Sequence, residues 1–149
     1  MPFVEVGLPG WDTHQNNFDA VKRLCGVLDP AWATLMDDLA DKGLLDSTLI
    51  VWMGEFGRTP IINGNKGRDH WAAAWSTVLA GGGIKGGQVV GSSSADGMAV
   101  AERPVRVPDF LATVGKALGL DITRQNNSNV GRPIRFVDPG AKAIEEVLA

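Results

Sequence analysis

Apolar positions along this chain follow two periods, one of strands and one of helices. "PFVEVG", residues 2–7, is a short apolar run closed by Leu8-Pro9-Gly10, and it predicts a buried strand over 3–7. Phe18, Val21, Leu24 and Leu28 then recur at helical spacing, which predicts an amphipathic helix up to Asp29. Asp29-Pro30 has the form of an N-cap followed by proline at the first helical position. A second helix is therefore expected from that point, with Leu35, Met36 and Leu39 inward and Gly43 as its stop. "STLIVWM", 47–53, is an unbroken apolar run with β-branched residues, the pattern of a strand buried on both faces.

Beyond a polar loop at 54–69, "WSTVLAGG" (75–82) predicts another strand and "QVVGS" (88–92) a short one. "VPDFLATVGKALGL" (107–120) reads as a helix with Pro108 in its first turn, Gly119 near its end, and Phe110, Leu111, Val114 and Leu118 on one face. "RPIRFVD" is a candidate edge strand and "AKAIEEVLA" a short terminal helix. Strand, helix and strand again is the βαβ signature. The expected fold class is α/β: a single domain over 1–149 with a mostly parallel sheet flanked by helices. Strands 3–7 and 48–53 would be parallel neighbours joined by a right-handed crossover.

Composition narrows the partners. The net charge of -3 gives no global basic field, so nucleic acid is not expected. No stretch reaches the ~18 apolar residues of a membrane span, and the first residues lack a basic, then apolar, signal pattern. The one cysteine, Cys25, has no partner and reads as a buried structural thiol. The glycines of "AGGGIKGG" do not spell a phosphate loop and suit a turn between strands.

Chemistry gathers around the only two histidines. His14 lies in "GWDTH" (10–14), directly after the first apolar run, and His70 lies in "GRDHW" (67–71). "GEFGRTP" (54–60) follows the run at 47–53. In open α/β sheets, loops leaving strand ends hold the ligands, so these three segments would share one rim. That rim would carry Asp12, His14, Glu55, Arg58, Arg68, Asp69 and His70. Carboxylate and imidazole together suit a divalent metal, with Asp12, His14, Glu55 and His70 as ligands; Zn, Mn, Ca and Mg all stay open. Arg58 and Arg68, with His70, are the candidate catalytic groups, because planar guanidinium donors hold the oxygens of a phosphate or sulfate. The plain alternative is that Asp12 caps a helix starting near Gln15, Asp69 caps a helix at His70, Glu55 pairs only with Arg58, and His14 is a surface residue.

"GWDTHQNNF", "MDDLADKGLLDSTLIVWMGEFGRTP", "GRDHW", "LAGGGIKGGQVVG" and "RPVRVPDFLATVGKALGLD" together resemble a bacterial family of unknown function, abundant in planctomycetes and described as sulfatase-like. The resemblance runs from about Phe3 to Val137. It implies the alkaline phosphatase and sulfatase superfamily, whose fold is a mostly parallel sheet between helices, and it implies that this chain corresponds to the C-terminal portion. By that resemblance Asp12 and His14 look like the Asp and His of one metal site, though one residue separates them here instead of three. Glu55 stands where sulfatases place an acid at a strand end, followed here by Phe56, which cannot ligate. His70 resembles a late histidine that binds metal or substrate. The implied activity is metal-dependent hydrolysis of a small anionic ester, phosphate or sulfate, in an exported or periplasmic protein. The superfamily's nucleophile has no counterpart among these motifs, and Thr13 and Thr59 are the nearest hydroxyls. A non-catalytic binding domain on the same fold is therefore the other class. An uncovered strand edge and apolar face further imply a homodimer, unless the segment 132–149 folds back over that edge.

Overall fold

The computed structural model describes residues 2–149. Its longest element is α1, Asn17–Asp41, one continuous helix of 25 residues that runs straight through Pro30. The expected break at Asp29-Pro30 does not occur, and the reason is phase. Leu24, Leu28, Trp32, Met36 and Leu39 are the less exposed positions, and their spacing of three and four keeps one stripe inward on both sides of the proline. Side-chain packing along that stripe outweighs the lost hydrogen bond of a proline without N–H, a cost of about 3 kcal/mol. The helix ends at Gly43, whose φ of 64° admits the left-handed turn that carries Leu44 N–H to Leu39 O at 2.8 Å. Cys25 lies on the outer side of α1 and is exposed, not buried as its residue type suggested.

The expected parallel α/β sheet is absent, and the alkaline-phosphatase-like fold class is thereby overturned. All strand pairing among the described residues is antiparallel and falls into four two-stranded sheets. β1 (Leu49–Trp52) pairs with β4 (Val78–Gly81), Leu49 opposite Gly81 and Trp52 opposite Val78. β2 (Gly57–Arg58) pairs with β3 (His70–Trp71), β5 (Ser92–Ser93) with β6 (Val100–Glu102), and β7 (Gln125–Asn127) with β8 (Pro133–Arg135). Residues 3–7 form no strand, so no crossover joins them to β1. The apolar run at 47–53 was read as doubly buried, yet in a two-stranded sheet Val51 and Trp52 stay exposed. An unbroken apolar run is therefore compatible with a strand whose second neighbour is missing.

α2, Val107–Ala117, forms where its proline and glycine place it and ends in a left-handed Gly119, φ 71°. Its expected face is corrected: Ala112, Thr113 and Gly115 are the buried positions, Phe110, Val114 and Leu118 are half-buried and Leu111 is exposed, because the C-terminal segment packs on the small side chains. The helix organises the C-terminal part. Thr113, fully buried, donates its hydroxyl to Asp109 O and accepts from Ile144 N–H. Asp109 accepts two hydrogen bonds from Arg106 and one from Lys142 N–H, which hold its carboxyl down to about 2. The last residues fold across the turn after β4, with Lys85 N–H on Val147 O and Ala149 N–H on Gly83 O. They include one 3-10 turn, Glu145–Val147, where a short helix was expected. Gly115 exists because Phe136 lies flat on α2 there: a Cβ would sit 2.6 Å from its ring. Among the described residues no helix is long and apolar enough to cross a membrane.

Two outcomes follow. Pro30→Ala restores one helical hydrogen bond and should raise stability by about 2 kcal/mol, read as a higher urea midpoint at constant slope. Asp109→Ala removes three accepted hydrogen bonds and should cost about 1.5–3 kcal/mol. Because the folded carboxyl is depressed, its contribution is fully present above the ordinary carboxylate value and is lost as pH falls through about 2. The difference between wild type and Asp109→Ala should therefore shrink below pH 4 in acid-unfolding curves.

Candidate metal centre

The rim is built by stitching two distant segments together. Asn16 N–H bonds Asn65 O, Asn17 N–H bonds Lys66 O, and Arg68 N–H bonds Thr13 O. Gly67 is buried at this seam, and a Cβ on it would lie 1.9 Å from His14 O, so no other residue fits without moving the backbone. Asn63 holds the loop from inside. Its Oδ1 accepts Asn65 and Gly67 N–H, and its Nδ2 donates to His14 O and Asp69 Oδ1. The β2–β3 pair sets Arg58 directly opposite His70.

These supports bring Asp12, His14 and His70 together, with one ligating atom of each within 4.8 Å of the others. Asp12 Oδ1 lies 3.0 Å from His14 Nε2 and 2.9 Å from His70 Nε2. Ligands of a tetrahedral ion with bonds of about 2.0–2.1 Å would lie about 3.3 Å apart, close to the two Asp12–imidazole distances, while the two imidazoles are placed only within 4.8 Å of each other. Nδ1 of His14 lies 2.7 Å from Asp69 Oδ1. With the proton on Nδ1, that contact leaves Nε2 as the lone-pair donor facing Asp12 and His70, the carboxylate–imidazole arrangement that orients a metal-binding histidine. The imidazoles lie 4.9 Å apart between centroids, and His70 is backed by the Phe56 ring at 4.7 Å. Phe56 is therefore a wall for a ligand, where the sequence offered only a non-ligand.

Glu55 stands beside the three, not among them: Oε1 is 3.2 Å from Arg58 Nη2 and 3.9 Å from His70 Nε2. Arg58 is the guanidinium of the rim, and it bridges Asp12 at 2.6 Å and Glu55. Its side chain is 19% exposed and stays reachable. Arg68 faces elsewhere. Nη1 donates to Thr59 O and Pro60 O, and its guanidinium lies over Phe18, so it braces the loop instead of facing the cluster. Thr13 donates to Asn17 Oδ1, and Thr59 donates to Ile61 O. Neither hydroxyl is aimed at the cluster. Asp69 and Asn63 are the positioning residues that the ligand pattern missed. Asp69 was visible as a neighbour of His70, whereas Asn63 carried no signal beyond lying in an Asn- and Gly-rich turn.

Residues 1–148 match the model of the family described as "Protein of unknown function (DUF1501)". The chain belongs to that family. No curated protein and no solved structure matches. The DUF1501 chain thus brings its rim geometry without a described activity, and the chemistry rests on the donors themselves. Asp12 and Glu55 share one inward guanidinium and Asp69 stands behind His14, so three carboxylates surround one Arg58, an excess of negative charge that favours a cation. Asp12 is held below the ordinary carboxylate range by its hydrogen bonds with His70 and Arg58, and Asp69 by those with His14 and Asn63.

Both carboxylates should titrate below the ordinary aspartate range in a carbon-detected NMR titration, and the Asp12 midpoint should move upward in His70→Ala. The sign follows from depression: their support for the rim is full above the ordinary value and disappears as pH falls through the folded value. Gly67→Ala should cost about 1–3 kcal/mol and broaden or shift the His14 ring signals, whereas Gly64→Ala, with open space at its Cβ, should leave them in place.

Proposed function

We propose that the chain binds one divalent cation through Asp12, His14 and His70 and hydrolyses a small anionic ester of the phosphate or sulfate class. The observation that carries this reading is the convergence of both histidines on one carboxylate, with Asp69 orienting His14 from behind. Two imidazoles with one carboxylate suit Zn or Mn better than the all-oxygen environment of Ca or Mg. When bound, such an ion supplies positive charge against a developing anion and lowers the pKa of a water molecule. The chain's own residues do the rest. Asp69 keeps the proton on His14 Nδ1, Phe56 limits the swing of His70, and Arg58 offers its remaining N–H groups to the ester oxygens. Glu55 restrains Arg58. The engaged hydroxyls of Thr13 and Thr59 favour attack by water over a covalent intermediate. The sulfatase-like resemblance supports an exported setting for this activity.

Those same engaged hydroxyls, and an Arg58 already shared by two carboxylates, support a second reading in which the rim binds a metal without turnover. One set of measurements separates the two. Elemental analysis after reconstitution should give about one Zn or Mn per chain, falling to background in His14→Ala, His70→Ala and Asp12→Ala. Asp69→Asn should weaken metal affinity about 10–100-fold. A metal-dependent release of phosphate or sulfate from aryl esters, lost in Arg58→Ala with metal retained, supports the hydrolase; full metal without release supports the binding domain. Unchanged metal content in His14→Ala and His70→Ala removes both.

A further inference from the structure

The surface of this chain is too large for its mass. A folded monomer of 15.8 kDa is expected to expose about 7300 Å², and this chain exposes 10513 Å². Two exposed features stand out. Residues 2–9 belong to no helix, strand or turn, and no backbone hydrogen bond to them occurs among the described residues. Phe3, Val4 and Val6 of that segment are 86%, 81% and 88% exposed. The second feature is a groove of about 820 Å³ between β4 and α2, lined by Val78, Leu79, Val89, Val107, Phe110 and Leu111. Among the described residues β4 has β1 on one side and no strand on the other, so an open strand edge borders the groove.

We propose that two copies of this chain form a twofold dimer by exchanging residues 3–7, each copy laying its segment along the free edge of β4 in the other's groove. The match is chemical and geometric. An extended segment supplies the backbone groups that the edge of β4 lacks, and Val4 and Val6 share the face that enters the apolar groove. Glu5 projects to the opposite side, toward water. The area fits as well. Obligate dimers bury about 2000–5000 Å² in total, or about 1000–2500 Å² per chain, and the surplus of this chain exceeds that range. The twofold relation uses each segment and each groove once and leaves no open end for a fibre. The proposal does not rest on the metal reading, although Glu55 of the rim lies at the margin of the same groove.

Light scattering at micromolar concentration should give twice 15.8 kDa. Val4→Asp with Val6→Asp should return the single-chain mass with an unchanged far-UV spectrum, and so should Val89→Asp, which charges the groove. The decisive measurement mixes these two variants. The Val89→Asp chain keeps an intact segment and the Val4→Asp, Val6→Asp chain keeps an intact groove, so one good junction forms and a dimer of mixed composition should reappear. A wild-type mass of 15.8 kDa without concentration dependence overturns the proposal. So does a dimer that survives Val4→Asp with Val6→Asp, or two monomeric variants that stay monomeric on mixing. Should Val89→Asp unfold, Val107→Asp charges the same groove and takes its place.

Discussion

Backbone contact at Gly67 decides whether this chain has a site at all. His14 and His70 come from opposite sides of a long helix and a strand pair, and neither element points one histidine at the other by itself. The close approach of Gly67 to His14 O, with Asn63 bonded to both sides, sets the two loops at a fixed distance. Side-chain geometry follows from that seam: Asp69 reaches His14, the β2–β3 pair carries His70 toward Asp12, and Arg58 crosses from the neighbouring strand. A main-chain constraint thus sets the electrostatics. The low position of the Asp12 and Asp69 carboxyls is a consequence of being held, not of being buried, because both remain open to water.

The rim was more legible in the sequence than the fold around it. Asp12, His14 and His70 were found from residue type and chain position, since two histidines each beside an acid offer few ways to be arranged. Arg58 was found as well, although its partners are two carboxylates and not an empty cradle. Arg68 shows the limit of such reading: its type suits an anion, but only the coordinates reveal that backbone carbonyls already take its donors. The helix at 107–117 was legible because its proline and its glycine mark its two ends, although its buried positions, Ala112, Thr113 and Gly115, lie outside the apolar stripe read for it. The parallel sheet was misread for a definite reason. An apolar run reports that a strand can be buried, not which strand lies beside it, and β1 chose β4 in antiparallel register while residues 3–7 stayed unpaired. Pro30 was misread because local helix-start chemistry was weighed above the phase of the apolar stripe, and over 25 residues the stripe prevails.

The fold and the rim also differ in how they are stabilised. Few side chains are fully withdrawn from water: Leu24, Ala112, Val137 and Val147 are the buried apolar ones among the described residues. Much of the rest is held by hydrogen bonds across short pairings and by the ties around α2. In such a molecule a polar network such as Asp69–His14–Asn63 carries a larger share of local order than it would over a thick core, because little apolar packing remains to hold those loops when it is lost.

The distance along the chain between the two halves of the rim has a consequence for chain entropy. Asp12 and His70 meet across 58 positions, and His14 and Asp69 across 55, so the rim closes a loop that the unfolded chain rarely closes on its own. A permanent cross-link over a loop of that size restricts the unfolded ensemble by about 4 kcal/mol. A ligand that grips both ends at once acts as a reversible cross-link of the same span. Its grip would be felt far from the imidazoles, in every element strung between residues 14 and 69, including the whole of α1.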